Sequence, residues 1–239
     1  MNDLQDILKR EDMETPRSPR DLCAWVQAKI SELAQSKSGK AYLSARAFLP
    51  KKLIEEVRPF ALFANLCFGS DDVRCTPNLG NEDFDGRIKF ADQTKDISVE
   101  ITYAKDGHDE HLRLTVLNEK GSVNLLGKME KMGTKAARNQ RVEIENEAVS
   151  HQETLNSGLS IVKKRLTNKS NNNKSNKRYG LTHTLVVVVD DYFAFRSEED
   201  KAALRQCAVT TVSDLTMDFG AIYLLGSSGE YLEHIYGVV

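Results

Sequence analysis

This sequence lacks long apolar segments, cysteine pairs and any strong excess of charge of one sign. Its longest unbroken apolar runs, such as residues 185–189, are too short to cross a bilayer. The first 14 residues mix acids and bases and contain no apolar signal region. The four cysteines are far apart and form no CxxC pair, which is typical of reduced thiols in a cytosolic protein. We therefore expect a cytoplasmic protein without a membrane partner.

The charge balance excludes a protein that coats nucleic acid through a general positive charge. Lys and Arg number 33 against 35 Asp and Glu, so the net charge is -2 and any phosphate binding must be local. Hydrophobic residues make up 40% of the 239 residues, which is enough for a folded core and excludes wholesale disorder. We expect a helical lead-in over residues 1–50 and an α/β domain over residues 51–239.

Apolar spacing predicts the order of helices and strands. Helices are predicted over residues 22–33, 51–68 and 144–166 and from Ser197, and strands over residues 84–91, 97–104, 111–117, 185–189 and 219–225. Pro59 predicts a kink or a late start in the second helix. Residues 69–81 are interpreted as a loop, and the tail after Gly229 as a short helix. This order predicts an α/β fold with a mixed central β-sheet flanked by helices.

Acidic residues mark two neighbouring predicted strands. Asp83 and Asp85 open the first strand and, being two residues apart, face the same way. Glu100 and Thr102 share one face of the next strand, and a hairpin brings Asp85 close to Glu100. Two carboxylates forced together repel unless a cation lies between them, and oxygen ligands suit Mg²⁺ or Mn²⁺. The alternative is that these carboxylates cap a turn or face solvent.

The tracts Asp83-Phe84-Asp85-Gly86 and Val99-Glu100-Ile101-Thr102, followed by a helix bearing Gln152, resemble the PD-(D/E)xK nuclease superfamily. With the element order, the resemblance covers residues 51–189. It implies a restriction-endonuclease-like core of order αβββαβ, here with an extra αβ unit at the C-terminus.

The resemblance also implies roles for individual residues. Asp85, or Asp83, is the expected first metal ligand and Glu100 the second. Glu56 is the candidate for a further glutamate on the preceding helix, with Glu55 adjacent to it. Gln152 matches a glutamine on the following helix that orients ligands or water.

Thr102 stands where the superfamily has a lysine. Threonine carries no positive charge to offer a phosphate or an attacking water. Either another cation takes that role, or turnover is slow, or catalysis is lost. The candidate replacements are Lys105, Arg87 and Lys163.

A basic segment over residues 163–178 carries seven bases and no acid, and residues 120–141 add six bases against one acid. The segment is either a solvated loop or an arm that follows phosphates. We expect nucleic-acid contact from it. The residues proposed for that contact are Lys163, Lys164, Lys174, Lys177 and Arg178.

The resulting expectation is a divalent-metal-dependent nuclease that hydrolyses phosphodiesters. The resemblance implies DNA as the substrate, and a role as effector subunit of a microbial anti-phage or restriction-type complex. A helicase or ATPase partner would have to be a second chain, because this sequence contains no nucleotide-binding loop. The alternative is a catalytically degenerate nuclease-fold module that binds nucleic acid or a partner protein without cleaving. A small-molecule α/β enzyme is a weaker option, since neither a nucleophile–base pair nor a cofactor loop is found.

Overall fold

A six-stranded mixed sheet with helices on both faces organises this α/β fold. The structure is a computed structural model that describes residues 7–44, 48–92, 96–105, 112–113, 116–117, 121, 129–132, 141–144, 149–170 and 179–237. Three antiparallel strands form one half of the sheet, and the last three strands of the chain form the other half.

The helices begin near the N-terminus and return after the first three strands. They are α1 (Arg10–Met13), α2 (Pro19–Ala34), α3 (Lys37–Ser44), α4 (Phe48–Lys52), α5 (Arg58–Phe68), α6 (His151–Ser170) and α7 (Glu198–Ser213). A π-helical turn at Leu53–Val57, called the π-turn below, separates α4 from α5. Within the described ranges, no helix has the length and apolar character needed to cross a membrane.

The strands form one large sheet and one small one. In chain order they are β1 (Val73–Pro77), β2 (Gly86–Phe90), β3 (Ile97–Tyr103), β4 (Met129–Met132), β5 (Arg141–Ile144), β6 (His183–Val189), β7 (Ala221–Gly226) and β8 (Leu232–Gly237). The large sheet has the order β1-β2-β3-β6-β7-β8, and β4 pairs with β5 separately. Neighbours β1, β2 and β3 are antiparallel, β6 is parallel to β3 and to β7, and β8 is antiparallel to β7.

Each face of the large sheet carries its own apolar core. On the first face, α2 and α5 pack Leu22 and Phe60 against Val99 of β3. On the second face, α6 and α7 pack Leu166 and Leu204 against β6 and β7. Strand β6 supplies alternate side chains to both cores, which confirms the prediction of a strand covered on both sides. Helix α2 lies within residues 1–50, so that part of the chain contributes to the first core.

Three sequence predictions differ from the structure. Residues 69–81 contain β1, whose alternating burial was hidden by the polar Asp71-Asp72 before it and Pro77 at its end. The tail after Gly229 forms β8, not a helix. Residues 112–113 and 116–117 are helical, although a strand was predicted there, and the rest of that segment lies outside the described residues. Three antiparallel strands are nevertheless present, because β1 takes the place of the predicted third strand.

The other predicted helices and strands are present with shifted ends, whereas α1, α3, β4 and β5 were not predicted. The helix predicted over residues 144–166 is α6, which begins at His151 and continues to Ser170. Helix α7 begins at Glu198, and its N-cap Ser197 forms a reciprocal capping box with Asp200. Pro59 is the second residue of α5, which begins at Arg58 directly after the π-turn.

Gly86 is required by the close approach of α5 to β2. A Cβ atom added there would lie 2.6 Å from Cζ of Phe60, which is fully buried. We expect Gly86→Ala to lower the free energy of unfolding by about 1–3 kcal/mol, because the ring must move within a packed core. The matched control is Gly180→Ala, where an added Cβ meets no atom within 4 Å. Urea denaturation of the three proteins checks this, and equal midpoints for Gly86→Ala and wild type would contradict it.

Candidate functional site

The carboxylate of Asp85 lies where β2 and β3 separate. Their pairing ends at Gly86 and Val99, while β3 continues to Tyr103 beside β6. Asp85 N–H donates to the Val99 carbonyl at 2.8 Å, and Ile101 N–H donates to Asp85 Oδ2 at 2.7 Å. The Asp85 carboxylate therefore accepts the hydrogen bond from β3 that a main-chain carbonyl would accept if the pairing of the two strands continued. This fixes its position at the opening between the two strands.

Glu56 of the π-turn meets Asp85 at this point. Burial and the negative charge of Glu56 raise the pKa of Asp85 to about 6, and a hydrogen bond between the two carboxyl groups acts in the same direction. The Ile101 N–H and the ammonium of Lys52 oppose this rise. Lys52 Nζ lies 2.5 Å from Glu56 Oε2, one helical turn away. A proton or a cation would relieve the repulsion within this carboxyl pair.

Glu100 belongs to a second group of charges, on the second face of the sheet. Val99 and Ile101 are buried in the first core, so the alternation of β3 directs Glu100 and Thr102 to the other side. There Lys169 of α6 places Nζ 2.5 Å from Glu100 Oε1.

His183, at the start of β6, lies near the same group. Burial lowers the pKa of His183, while the charges of Asp83 and Glu100 oppose this effect. The predicted ligands Asp83 and Glu100 thus lie close enough to His183 for their charges to act on its pKa.

The cation that contacts Glu100 is not one of the predicted replacements for the missing motif lysine. Thr102 is half-buried on β3. Lys105 Nζ lies 3.8 Å from a glutamate of the π-turn, and Arg87 lies 3.8 and 3.9 Å from two other carboxylates. Lys163 is exposed on α6. Among the described residues, Lys169 is a base within bonding distance of the Glu100 carboxylate.

Gln152 lies far from these carboxylates. It is exposed at the start of α6, where its amide donates to Asn156 Oδ1 at 3.1 Å. Lys169, which contacts Glu100, is near the other end of the same helix, about 25 Å further along its axis. The structure therefore does not bring Gln152 to the carboxyl groups.

Only part of the basic segment lies within the described residues. Arg165 turns inward and donates to the carbonyl of Lys105 at 2.7 Å. Lys163 and Lys164 are exposed on α6. The other three residues proposed for phosphate contact, Lys174, Lys177 and Arg178, lie outside the described residues.

Sequence reasoning did not assign Lys52, Lys169 or His183 to the site. Lys52 and Glu56 are four residues apart on a predicted helix, and this spacing could have indicated that Lys52 pairs with Glu56. The contact of Lys169 with Glu100 joins residues 69 positions apart, so no local sequence pattern predicts it.

The donors gathered at Asp85 and Glu56 are carboxyl oxygens, which suit a hard divalent cation with water as its remaining ligands. In the part of the chain that the structure describes, no group of three or more His, Cys, Asp or Glu side chains is arranged to hold a metal ion. A cation shared by Asp85 and Glu100 stays a prediction. Comparisons with protein-family models, curated proteins and solved structures found no match to this chain.

The raised pKa of Asp85 predicts a pH effect on stability. Because the folded-state pKa of about 6 exceeds the ordinary 3.8, the folded chain holds this proton more tightly than the unfolded chain. The stabilisation is complete below pH 3.8 and is lost as the pH rises through 6. We expect Asp85→Asn to gain about 2 kcal/mol relative to wild type between pH 4.5 and 7.5, measured by urea denaturation in EDTA. Exposed Asp92→Asn is the control, and parallel profiles for wild type and Asp85→Asn would contradict this.

Proposed function

We propose that this chain is a divalent-metal-dependent phosphodiesterase that acts on nucleic acid. The observation that carries the proposal is the contact between the half-buried carboxyl groups of Asp85 and Glu56, which contributes to raising the pKa of Asp85 to about 6. Proteins place such groups together at a cost, and perturbed carboxyl pairs are common where a cation or a reacting proton is held.

In this proposal Asp85 and Glu56 hold Mg²⁺ or Mn²⁺, with water as the remaining ligands. Glu100 faces the second side of the sheet, so it takes part through its ion pair with Lys169 and not as a ligand of the same cation. The Ile101 N–H holds one oxygen of Asp85, so the carboxylate keeps its orientation when a cation replaces the proton. When bound, the cation supplies Lewis acidity toward a phosphoryl oxygen.

Lys169 supplies the positive charge that Thr102 cannot. Its ammonium lies 2.5 Å from Glu100, and its side chain is 21% exposed, so it can reach a phosphate brought to the same carboxylate. A charge placed where negative charge develops on the phosphoryl oxygens lowers the barrier to hydrolysis.

The order of elements supports a restriction-endonuclease-like core as part of the proposal. Within the large sheet, β1, β2 and β3 follow a helix and precede α6 and β6, which is the order αβββαβ, with β4 and β5 of the small sheet inserted between β3 and α6. Asp85 directly precedes β2, and Glu100 lies on β3. The resemblance extends the proposal to DNA as substrate and to an effector subunit of a microbial defence complex with a helicase or ATPase partner. Four unpaired cysteines support a reducing compartment such as the cytoplasm.

The second candidate is a nuclease-fold module that binds nucleic acid or a partner without cleaving it. The ion pair between Lys169 and Glu100 favours it, because an ammonium at 2.5 Å already neutralises the motif carboxylate. Thr102 in the position of the motif lysine points the same way.

Cleavage of plasmid DNA with Mg²⁺ or Mn²⁺ tests the first candidate. We expect wild type to nick the plasmid, and Asp85→Asn and Glu100→Gln each to lower the rate on the order of a hundredfold or more. The control is Glu32→Gln, which removes a surface carboxylate paired with Lys29 on α2.

Equal nicking by wild type and both variants would remove these residues from the reaction. Absence of nicking by wild type under every condition would favour the binding module.

Phosphate contact by α6 is tested separately through the salt dependence of DNA binding. Replacing both Lys163 and Lys164 by alanine removes two exposed charges. We expect the slope of log affinity against log salt concentration to become shallower by roughly 2, since each phosphate contact contributes about 0.9. Fluorescence anisotropy with labelled duplex measures this, and Lys37 and Lys40 of α3, replaced together, are the matched control. An unchanged slope would assign these lysines to a solvated helix face.

A further inference from the structure

The π-turn leaves one main-chain carbonyl without its usual donor. Arg58 N–H donates to the Leu53 carbonyl, five residues back, instead of to Ile54. In the same pattern the donor for Ile54 would be residue 59, which is proline and has no N–H. The proline ring also crowds the carbonyl of Glu55, four residues before it, which is a physical reason for the widened turn.

Tyr103 donates to this carbonyl from another element. Its hydroxyl lies 3.1 Å from the carbonyl oxygen of Ile54. Tyr103 is the last residue of β3, two residues after Ile101, whose N–H holds the Asp85 carboxylate. One short stretch of β3 therefore contacts both partners of the carboxyl pair: Asp85 directly, and Glu56 through its turn.

The geometry of the π-turn determines where Glu56 points. A π-turn contains one residue more than an α-turn, and each helical residue turns the chain by about 100°. Closing Leu53–Val57 into a regular α-helix would rotate the residues on its N-terminal side relative to α5. Glu56 would then lose its alignment with Asp85.

We propose that Tyr103 is a positioning residue that holds the π-turn in the register that presents Glu56 to Asp85. The ring has a separate contact, since Lys105 Nζ lies 4.6 Å from its centroid and 3.8 Å from Glu55 of the same turn. Tyr103→Phe keeps this ring and removes only the hydroxyl. The inference rests on the proposed function for its metal readout alone.

The first measurement is amide hydrogen exchange at Arg58, followed by NMR. Loss of one neutral hydrogen bond should raise the opening of this amide about fivefold in Tyr103→Phe. The control is Tyr223→Phe, which removes a hydroxyl from the first core on β7 and should leave Arg58 exchange unchanged. Unchanged exchange in Tyr103→Phe would overturn the inference whether or not the protein binds metal.

The second measurement is Mn²⁺ affinity, followed by electron paramagnetic resonance of the free ion. We expect Tyr103→Phe to weaken Mn²⁺ binding about fivefold in the wild-type background and to have no effect in Glu56→Gln, because it acts through Glu56. An equal loss in both backgrounds would overturn the positioning role. If wild type binds no Mn²⁺, the proposed function fails, and the Arg58 exchange still decides the role of Tyr103.

Discussion

The contact between the carboxyl groups of Asp85 and Glu56 is the constraint on which the site depends. Raising the pKa of the half-buried Asp85 carboxyl from 3.8 to about 6 corresponds to a cost on the order of 3 kcal/mol at neutral pH. A single hydrogen bond such as that from Ile101 N–H offsets about 1 kcal/mol. The remainder must come from packing that fixes each partner. For Asp85 this is the contact of Gly86 with Phe60, and for Glu56 it is the π-turn.

Strand β3 separates the charges of the site into two groups. Its main chain holds Asp85 at the strand edge. Because its side chains alternate between the two faces of the sheet, Glu100 lies on the second face, where it contacts Lys169 of α6. Glu56 approaches from the first face with its own ammonium partner, Lys52. Each acidic group therefore has a lysine from a different helix. Such pairing keeps a negatively charged site folded without a metal, and it offers positive charge to a phosphate.

Sequence reasoning recovered the parts of the fold that local patterns encode. The alternation in β2 and β3 and the apolar run of β6 predicted the centre of the sheet. The predicted convergence of Asp85 with Glu100 stays a prediction, since Asp85 contacts Glu56 and Glu100 contacts Lys169. Strand β1 was missed because its alternation covers only five residues and ends in Pro77. The charge pair of Lys169 with Glu100 and the distance of Gln152 depend on how α6 lies across the sheet. That placement is determined by tertiary packing, so no residue spacing in the sequence predicts it.

A crystal structure of the protein soaked in Mn²⁺, with an anomalous difference map, tests most directly whether the Asp85–Glu56 carboxyl pair holds a divalent cation. We predict a peak within about 2.2 Å of one oxygen from each of Asp85 and Glu56, with Lys52 displaced from the glutamate. A map without a peak, in which Lys52 still binds Glu56 and the two carboxyl groups remain in contact with each other, would contradict it.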